Sequence, residues 1–196
     1  NEYMQYMFTS DYIENVPNSY NYCQFNQTIA NSTRTLIDIN GWKTSKVITF
    51  TRAFYRNEAF NQPLDNWDTS KVTTFSYMFA GASAFNNNVS TWDTSQVTYM
   101  FDMFDFDNGL DPKFNQGIEE WDVSRVVDMS YMFGNAKAFN QALDIWNVQS
   151  VTNMGSMFKG AQVFNQCLST WADKTISVDR TAMFVETLCP CLDENI

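Results

Sequence analysis

Carboxylates are the side chains of this chain best placed to do chemistry. Asp105, Asp107 and Asp111 fall in the segment Asp105-Phe-Asp107-Asn108-Gly109-Leu-Asp111-Pro-Lys, spaced around a glycine turn. Oxygen ligands so arranged suit a hard divalent cation, so calcium is the cofactor this segment would take. The full spacing and terminal glutamate of an EF-hand are missing, and a solvated acidic loop has the same composition. A second set, Asp68, Asp93 and Asp122, with Asn147 next, follows tryptophans. Stacked about 5 Å apart, these groups would form a column of calcium ligands or would repel one another. Capping the N-terminus of a following helix removes that conflict and explains the Asp-Thr-Ser context without a metal.

Histidine is absent. The commonest general base is therefore missing, and so is any Ser-His or Cys-His nucleophile pair. The acids recur in repeated positions instead of converging on one pocket, so the chain reads as a non-enzyme. Cys23, Cys167, Cys189 and Cys191 lie towards the ends. An even count in an exported chain suggests disulfides that pin the termini. Cys189-Pro-Cys191 is too short to bridge comfortably with itself, which leaves Cys23 or Cys167 as the partner. Without histidine and with one Cys-x-Cys pair, a zinc site lacks its ligand set.

Amides form a further column. Asn61, Asn86, Asn115, Asn140 and Asn165 are each followed by Gln62, Asn87, Gln116, Gln141 or Gln166. A side-chain amide both donates and accepts, so this reads as a structural ladder between stacked units rather than a ligand stripe. Alternation alone leaves open which column points inward. Asn26, Asn31 and Asn88 begin glycosylation sequons, of which Asn31 and Asn88 are the candidates.

What must hold these residues in place is a repeat. The six tryptophans stand at positions 42, 67, 92, 121, 146 and 171, spaced by 25 residues except for one interval of 29. Four extra residues fall between Phe104 and Phe114. From each Trp the pattern reads W-x-x-x-x-V-x-x-(M/F)-x-x-M-F-x-x-A-x-x-F-N-Q-x-L-x-x-W. All ten methionines occupy repeat slots. A unit of this length cannot bury a core alone, so neighbours must stack. Val72, Phe75, Met78, Phe79 and Ala82 show the spacing of one apolar face of a short helix. Phe60, Gln62 and Leu64 alternate as a short strand would. The periodicities therefore predict one short parallel strand and one short helix per unit, an α/β solenoid.

Blocks such as Phe60-Asn-Gln-Pro-Leu-Asp-Asn-Trp-Asp-Thr-Ser-Lys-Val and Val126-Val-Asp-Met-Ser-Tyr-Met-Phe resemble a bacterial surface protein repeat of about 25 residues, the BspA-like or DUF285 type. The similarity covers roughly residues 42 to 184. It implies a right-handed leucine-rich-repeat-like solenoid on secreted or surface proteins, with no shared catalytic residues and no defined ligand.

Composition sets the outer bounds. A net charge of −10 and twelve Lys and Arg disfavour nucleic acid as a partner. No apolar run approaches the roughly 18 residues a membrane helix needs. Residues 1–41 read as a degenerate repeat or N-terminal cap, 42–176 as the solenoid with an insertion at 105–113, and 177–196 as the C-terminal cap. The chain begins in mid-repeat, which suggests upstream sequence. The function expected is protein or glycan recognition at a cell surface, outside the cell. The alternative is a structural subunit of a larger assembly, for instance in an organelle lumen. The strand face would carry the contact through Asp65, Asn66, Ser90, Glu119, Glu120 and Asp144.

The cysteine reading is checked by counting thiols in the denatured, unreduced chain. Fewer than four are expected, and losing such a bridge typically costs about 2–5 kcal/mol. Four reactive thiols would remove both the bridge and part of the case for export.

Overall fold

The computed structural model describes residues 38–107, 109–174 and 178–188. Each circuit of the chain from one Trp to the next is a coil: 42–66, 67–91, 92–120, 121–145 and 146–170, with a further turn beginning at Trp171. The coils stack in parallel register through single β-bridges, Thr49 to Thr74 to Tyr99 to Asp128 to Asn153 to Asp179. Among the described residues there is no α-helix and no strand, and the one regular element is a 3-10 helix at Ser169–Lys174. The expected α/β architecture is therefore wrong in its elements. Residues 1–37 of the expected N-terminal cap, and 177 and 189–196 of the expected C-terminal cap, lie outside the described residues.

The backbone hydrogen bonds explain the discrepancy. In the first coil the N–H groups of Phe50, Arg52, Phe54 and Arg56 donate to the next coil, to the carbonyls of Thr74, Ser76, Met78 and Ala80, at 2.7–3.2 Å. The residues between them look inward. Ala53, Tyr55 and Asn57 donate to Phe50, Arg52 and Phe54 at 3.0–3.2 Å, closing four-residue turns. Phe75, Tyr77, Phe79 and Gly81 repeat the outward set onto Tyr99, Phe101, Met103 and Asp105. One N–H in two thus closes a turn and the other joins coils, which accounts for the polar groups of a segment that must be buried on one side.

Turns of this kind need a left-handed residue. Arg52, Tyr77, Asp102, Tyr131, Ser156 and Ala182 recur in one slot with φ between +54° and +60°. Arg56, Asn135 and Glu186, with Gly81 and Gly160, fill a second slot four residues on. A positive φ at the third residue is the mark of a type II turn, and it interrupts a right-handed helix. The apolar spacing mistaken for a helix face is the set of corners that a chain of such turns buries. The bridge column lies within this stretch. The expected strand, by contrast, makes no bridge; its start is held by side chains.

Those side chains are the amides. The N–H of Asn86, Asn115, Asn140 and Asn165 each donates to the Oδ1 of the preceding Asn, at 2.9–3.0 Å. Gln116, Gln141 and Gln166 reach back to the same Asn through its backbone oxygen and its Oδ1. The ladder read from the sequence is present. The Asp after Trp has a different role from the one expected. Oδ1 of Asp68, Asp93 and Asp122 accepts the N–H two residues on, from Ser70, Ser95 and Ser124, at 2.9–3.1 Å. This is an Asx turn, not a helix cap, because no helix follows.

The core is a stack of rings. Phe54, Phe79, Phe104, Phe133, Phe158 and Phe184 form one column with centroids 5.4–5.8 Å apart. Phe60, Phe85, Phe114, Phe139 and Phe164 form a second at 5.7–6.1 Å. Within each coil the two columns touch at 3.8–4.1 Å, and the insertion leaves this unchanged, since Phe104 and Phe114 stand 3.8 Å apart. Each fully buried ring contributes about 1.5–3 kcal/mol. Buried Trp must also satisfy its indole N–H. Trp67, Trp92, Trp121, Trp146 and Trp171 donate it to the carbonyl of Ile39, Leu64, Val89, Ile118 and Leu143, which lies 28 residues back, or 32 across the insertion, at 2.9–3.2 Å.

Substituting Trp121→Phe is expected to destabilise the chain by about 1–3 kcal/mol, from the lost hydrogen bond and the gap left by the smaller ring. Urea unfolding checks it. An unchanged midpoint would mean that the indole bond does not hold the coils together.

Candidate binding face

Ring stacking and ladder bonds fix the interior, so the side chains the repeat does not use are left to the surface. The bridge column and the first left-handed slot project from one flank of the stack. In the first four coils this flank carries Arg52, Tyr55, Tyr77, Tyr99, Phe101, Asp102 and Tyr131. Most are half-buried; Tyr99 and Tyr131 are 46% and 44% exposed. The rings meet edge to face: Tyr55 with Tyr77 at 6.1 Å, Tyr77 with Phe101 at 5.2 Å and Tyr99 with Phe101 at 6.5 Å. This geometry favours aromatic pairs, and here it ties three coils together at the surface.

Charge frames the rings. The Arg52 guanidinium lies 4.8 Å from the centre of the Tyr77 ring and 5.8 Å from that of Tyr55, and Arg56 lies 5.3 Å from Tyr55. On the other side burial raises the carboxyl of Asp102, and the negative Asp128 adds to this; a hydrogen bond from Tyr77 and the charge of Arg52 oppose it. Asp105 is packed deeper. A Cβ on Gly134 would stand 2.2 Å from its Oδ1, so glycine is what lets the carboxyl lie there. Beside it, Tyr55, Arg56, Tyr77, Ala80, Gly81, Asp105 and Asp107 line a cleft of about 60 Å³.

The residues singled out from the sequence are placed otherwise. Asp65, Asn66, Ser90, Glu119, Glu120 and Asp144 stack in register at a turn before each Trp, not on a strand face. Three of them stitch coils together. Asp65 accepts from the Asn40 amide at 2.8 Å and from the Thr91 hydroxyl at 3.0 Å, the Asn66 N–H donates to Asn40, and Asp144 holds Thr170. In the insertion, Asp111 pairs with Lys113, which holds its carboxyl below the usual range, while Asp105 turns towards Gly134. Among the described residues no three Asp, Glu or Cys gather to hold a metal ion. Cys167 is exposed, and Cys23, Cys189, Cys191 and Asn31 lie outside the described residues. Asn88 is exposed, with its Oδ1 accepting the Ser90 N–H. No helix among the described residues is long and apolar enough to cross a membrane.

The aromatic flank was missed because periodic reading collects what recurs. Its signal was the opposite: Tyr55, Tyr77, Tyr99, Phe101 and Tyr131 are aromatic residues outside the aromatic slots.

A family model described as "Mycoplasma protein of unknown function, DUF285" matches residues 23–111 and 106–189. The match therefore reaches further at both ends than the resemblance read from the repeat blocks. Neither a curated protein nor a solved structure matches the chain.

The packing of Asp105 has a pH consequence. Burial first, then the negative charge of Asp102, pushes its carboxyl from 3.8 to about 7; Asp107 adds to the rise and the Phe106 N–H opposes it. Between those values the folded chain holds a proton that the unfolded chain has released. Stability from this group is therefore full below about pH 4, falls as pH rises to about 7, and is level above. Asp105→Asn should remove this dependence, so the variant gains on the wild type between about pH 4 and pH 7. Parallel urea curves for the two proteins across that range would refute the burial of Asp105.

Proposed function

We propose that this chain, which belongs to the DUF285 family, is a non-catalytic recognition module that binds a protein or glycan partner at a cell surface through its aromatic flank. The observation that carries this reading is the choice of residue in the left-handed slot. A non-glycine residue there costs roughly 1–2 kcal/mol in steric strain, which glycine avoids, its own cost being the chain entropy lost on folding. Yet the slot holds Arg52, Tyr77, Asp102 and Tyr131 in four successive coils. Strain retained where relief is a single substitution away points to a use for the side chains. Tyr and Arg are the residues that dominate binding energy at interfaces, since both offer large rigid contact with a polar tip. The acidic balance of −10 favours a neutral or basic partner over an anionic one.

The alternative site is the turn before each Trp, with Glu119 and Glu120. The two are separated by comparing a Tyr99→Ala, Tyr131→Gly variant with a Glu119→Gln, Glu120→Gln variant for retention on intact cells and on arrayed glycans. Tyr131→Gly removes backbone strain, so the first variant should melt at or near the wild-type temperature. Its binding should fall at least tenfold, equivalent to about 1.4 kcal/mol, while the Glu variant binds as the wild type does. Loss on the Glu variant with binding intact on the Tyr variant would move the site to the turn.

A further inference from the structure

The cleft beside the aromatic flank is a gap left by one coil. At the same pair of positions the first coil carries Tyr55 and Arg56, the third Asp105 and Phe106, and the second Ala80 and Gly81. Two small residues between larger neighbours leave a socket of about 60 Å³, the space of about two waters. Gly81 is at φ +75°, and a Cβ there would stand 3.2 Å from the Arg56 Cα, so both conformation and space disfavour a side chain.

Its lining is chemically mixed. Tyr55 and Tyr77 form two walls with rings perpendicular at 90°. Arg56 offers donors from one side, and Asp105 and Asp107 offer acceptors from the other. Among the described residues no ion pair joins either arginine of the flank to these carboxylates. A cationic group entering the socket would meet Arg56, with Arg52 held over Tyr77 close by. An anionic group would meet Asp105 and Asp107. A neutral ligand that donates and accepts on one edge, and has an apolar face for the rings, satisfies every wall at once. Adjacent hydroxyls on a pyranose have that form. They donate to carboxylates, accept from a guanidinium, and carry C–H bonds on the ring face. A peptide amide offers a single N–H per residue and leaves the second carboxylate unserved.

We propose that the socket binds the hydroxylated edge of a neutral sugar unit within a larger glycan, with Asp107 and Arg56 as its main hydrogen-bonding partners and Tyr77 as its stacking wall. This rests on the recognition reading above and assigns that face its ligand class. The socket takes one edge of the ring, and the exposed Tyr99 and Tyr131 are left to contact neighbouring sugar units.

The test uses the full chain on an array of neutral and charged oligosaccharides, with titration calorimetry on the best neutral binder. Asp107 is exposed, so Asp107→Ala should fold and melt as the wild type does. Neutral-glycan binding is expected in the wild type, nearly unchanged between about 0.05 and 0.5 M salt because no net charge is paired. Asp107→Ala is expected to lose at least tenfold. Binding restricted to charged glycans, or steeply weakened by salt, would overturn the proposal. So would a protein or peptide ligand lost with Tyr99→Ala, Tyr131→Gly but kept by Asp107→Ala; the recognition reading would then survive without the sugar. No binding of any kind that depends on the aromatic flank would overturn both.

Discussion

Everything in this structure follows from how the described residues, with no α-helix and no strand among them, satisfy their backbone. Alternate N–H groups close a turn within the coil or donate to the next coil, and the carbonyls accept in the same alternation. Neither set suffices alone. The turns by themselves would leave half the donors of a buried segment unpaired, at roughly 1–3 kcal/mol each. The bonds between coils require a neighbour in strict register. Stacking is thus the condition for each coil to exist, and the rings report the same register from the core side. Trp joins the two systems. The Leu64 carbonyl accepts the N–H of Trp67, three residues on, at 3.1 Å and the indole of Trp92, one repeat beyond Trp67, at 3.0 Å, so one oxygen closes a turn and joins successive repeats.

How far the sequence disclosed this depends on which residues are considered. The tryptophan spacing gives the stacking, the Phe slots give the two ring columns, and the Asn-Gln pairs give the ladder, because each is a side-chain property that recurs at the period. The elements were not legible in the same way. Val72, Phe75, Met78, Phe79 and Ala82 fit a helical face by spacing, but spacing does not record the sign of φ. Nothing in Arg52, Tyr77 or Tyr131 signals a left-handed backbone; Asn135 and Gly160 would have done so, but they occupy the second slot and vary between coils. A span of about ten residues is also too short to hold a helix on propensity alone, so the bonds between coils decided its form.

The site was less legible for a related reason. Of the residues expected on a strand face, Asp65, Asn66 and Asp144 instead bond from coil to coil. A binding residue in an array has no cause to repeat. The aromatic flank breaks the pattern from the third coil: Thr49 and Thr74 give way to Tyr99 and then Asp128 in the bridge column, and Thr51 and Ser76 to Phe101 two residues on. In a strict repeat the consensus carries the fold, and the departures from it are free of that duty.

The insertion shows why such departures are tolerated. Four residues are added between Phe104 and Phe114, yet that ring pair keeps the 3.8 Å contact of its counterpart in the first coil. Outside this pair the chain is tied by local contacts: Lys113 N–H to the Ser83 carbonyl and the Lys137 ammonium to the Leu110 carbonyl, at 2.9 and 2.8 Å. Since each coil touches only its neighbours, a change on the flank is felt one coil away and no further. The half-buried carboxyl of Asp105 is the local consequence, held against Gly134 of the following coil at the foot of the insertion. Small residues at two places, Gly134 below and Ala80 with Gly81 above, give that carboxyl its depth and the adjoining socket its opening. A uniform array would have filled both.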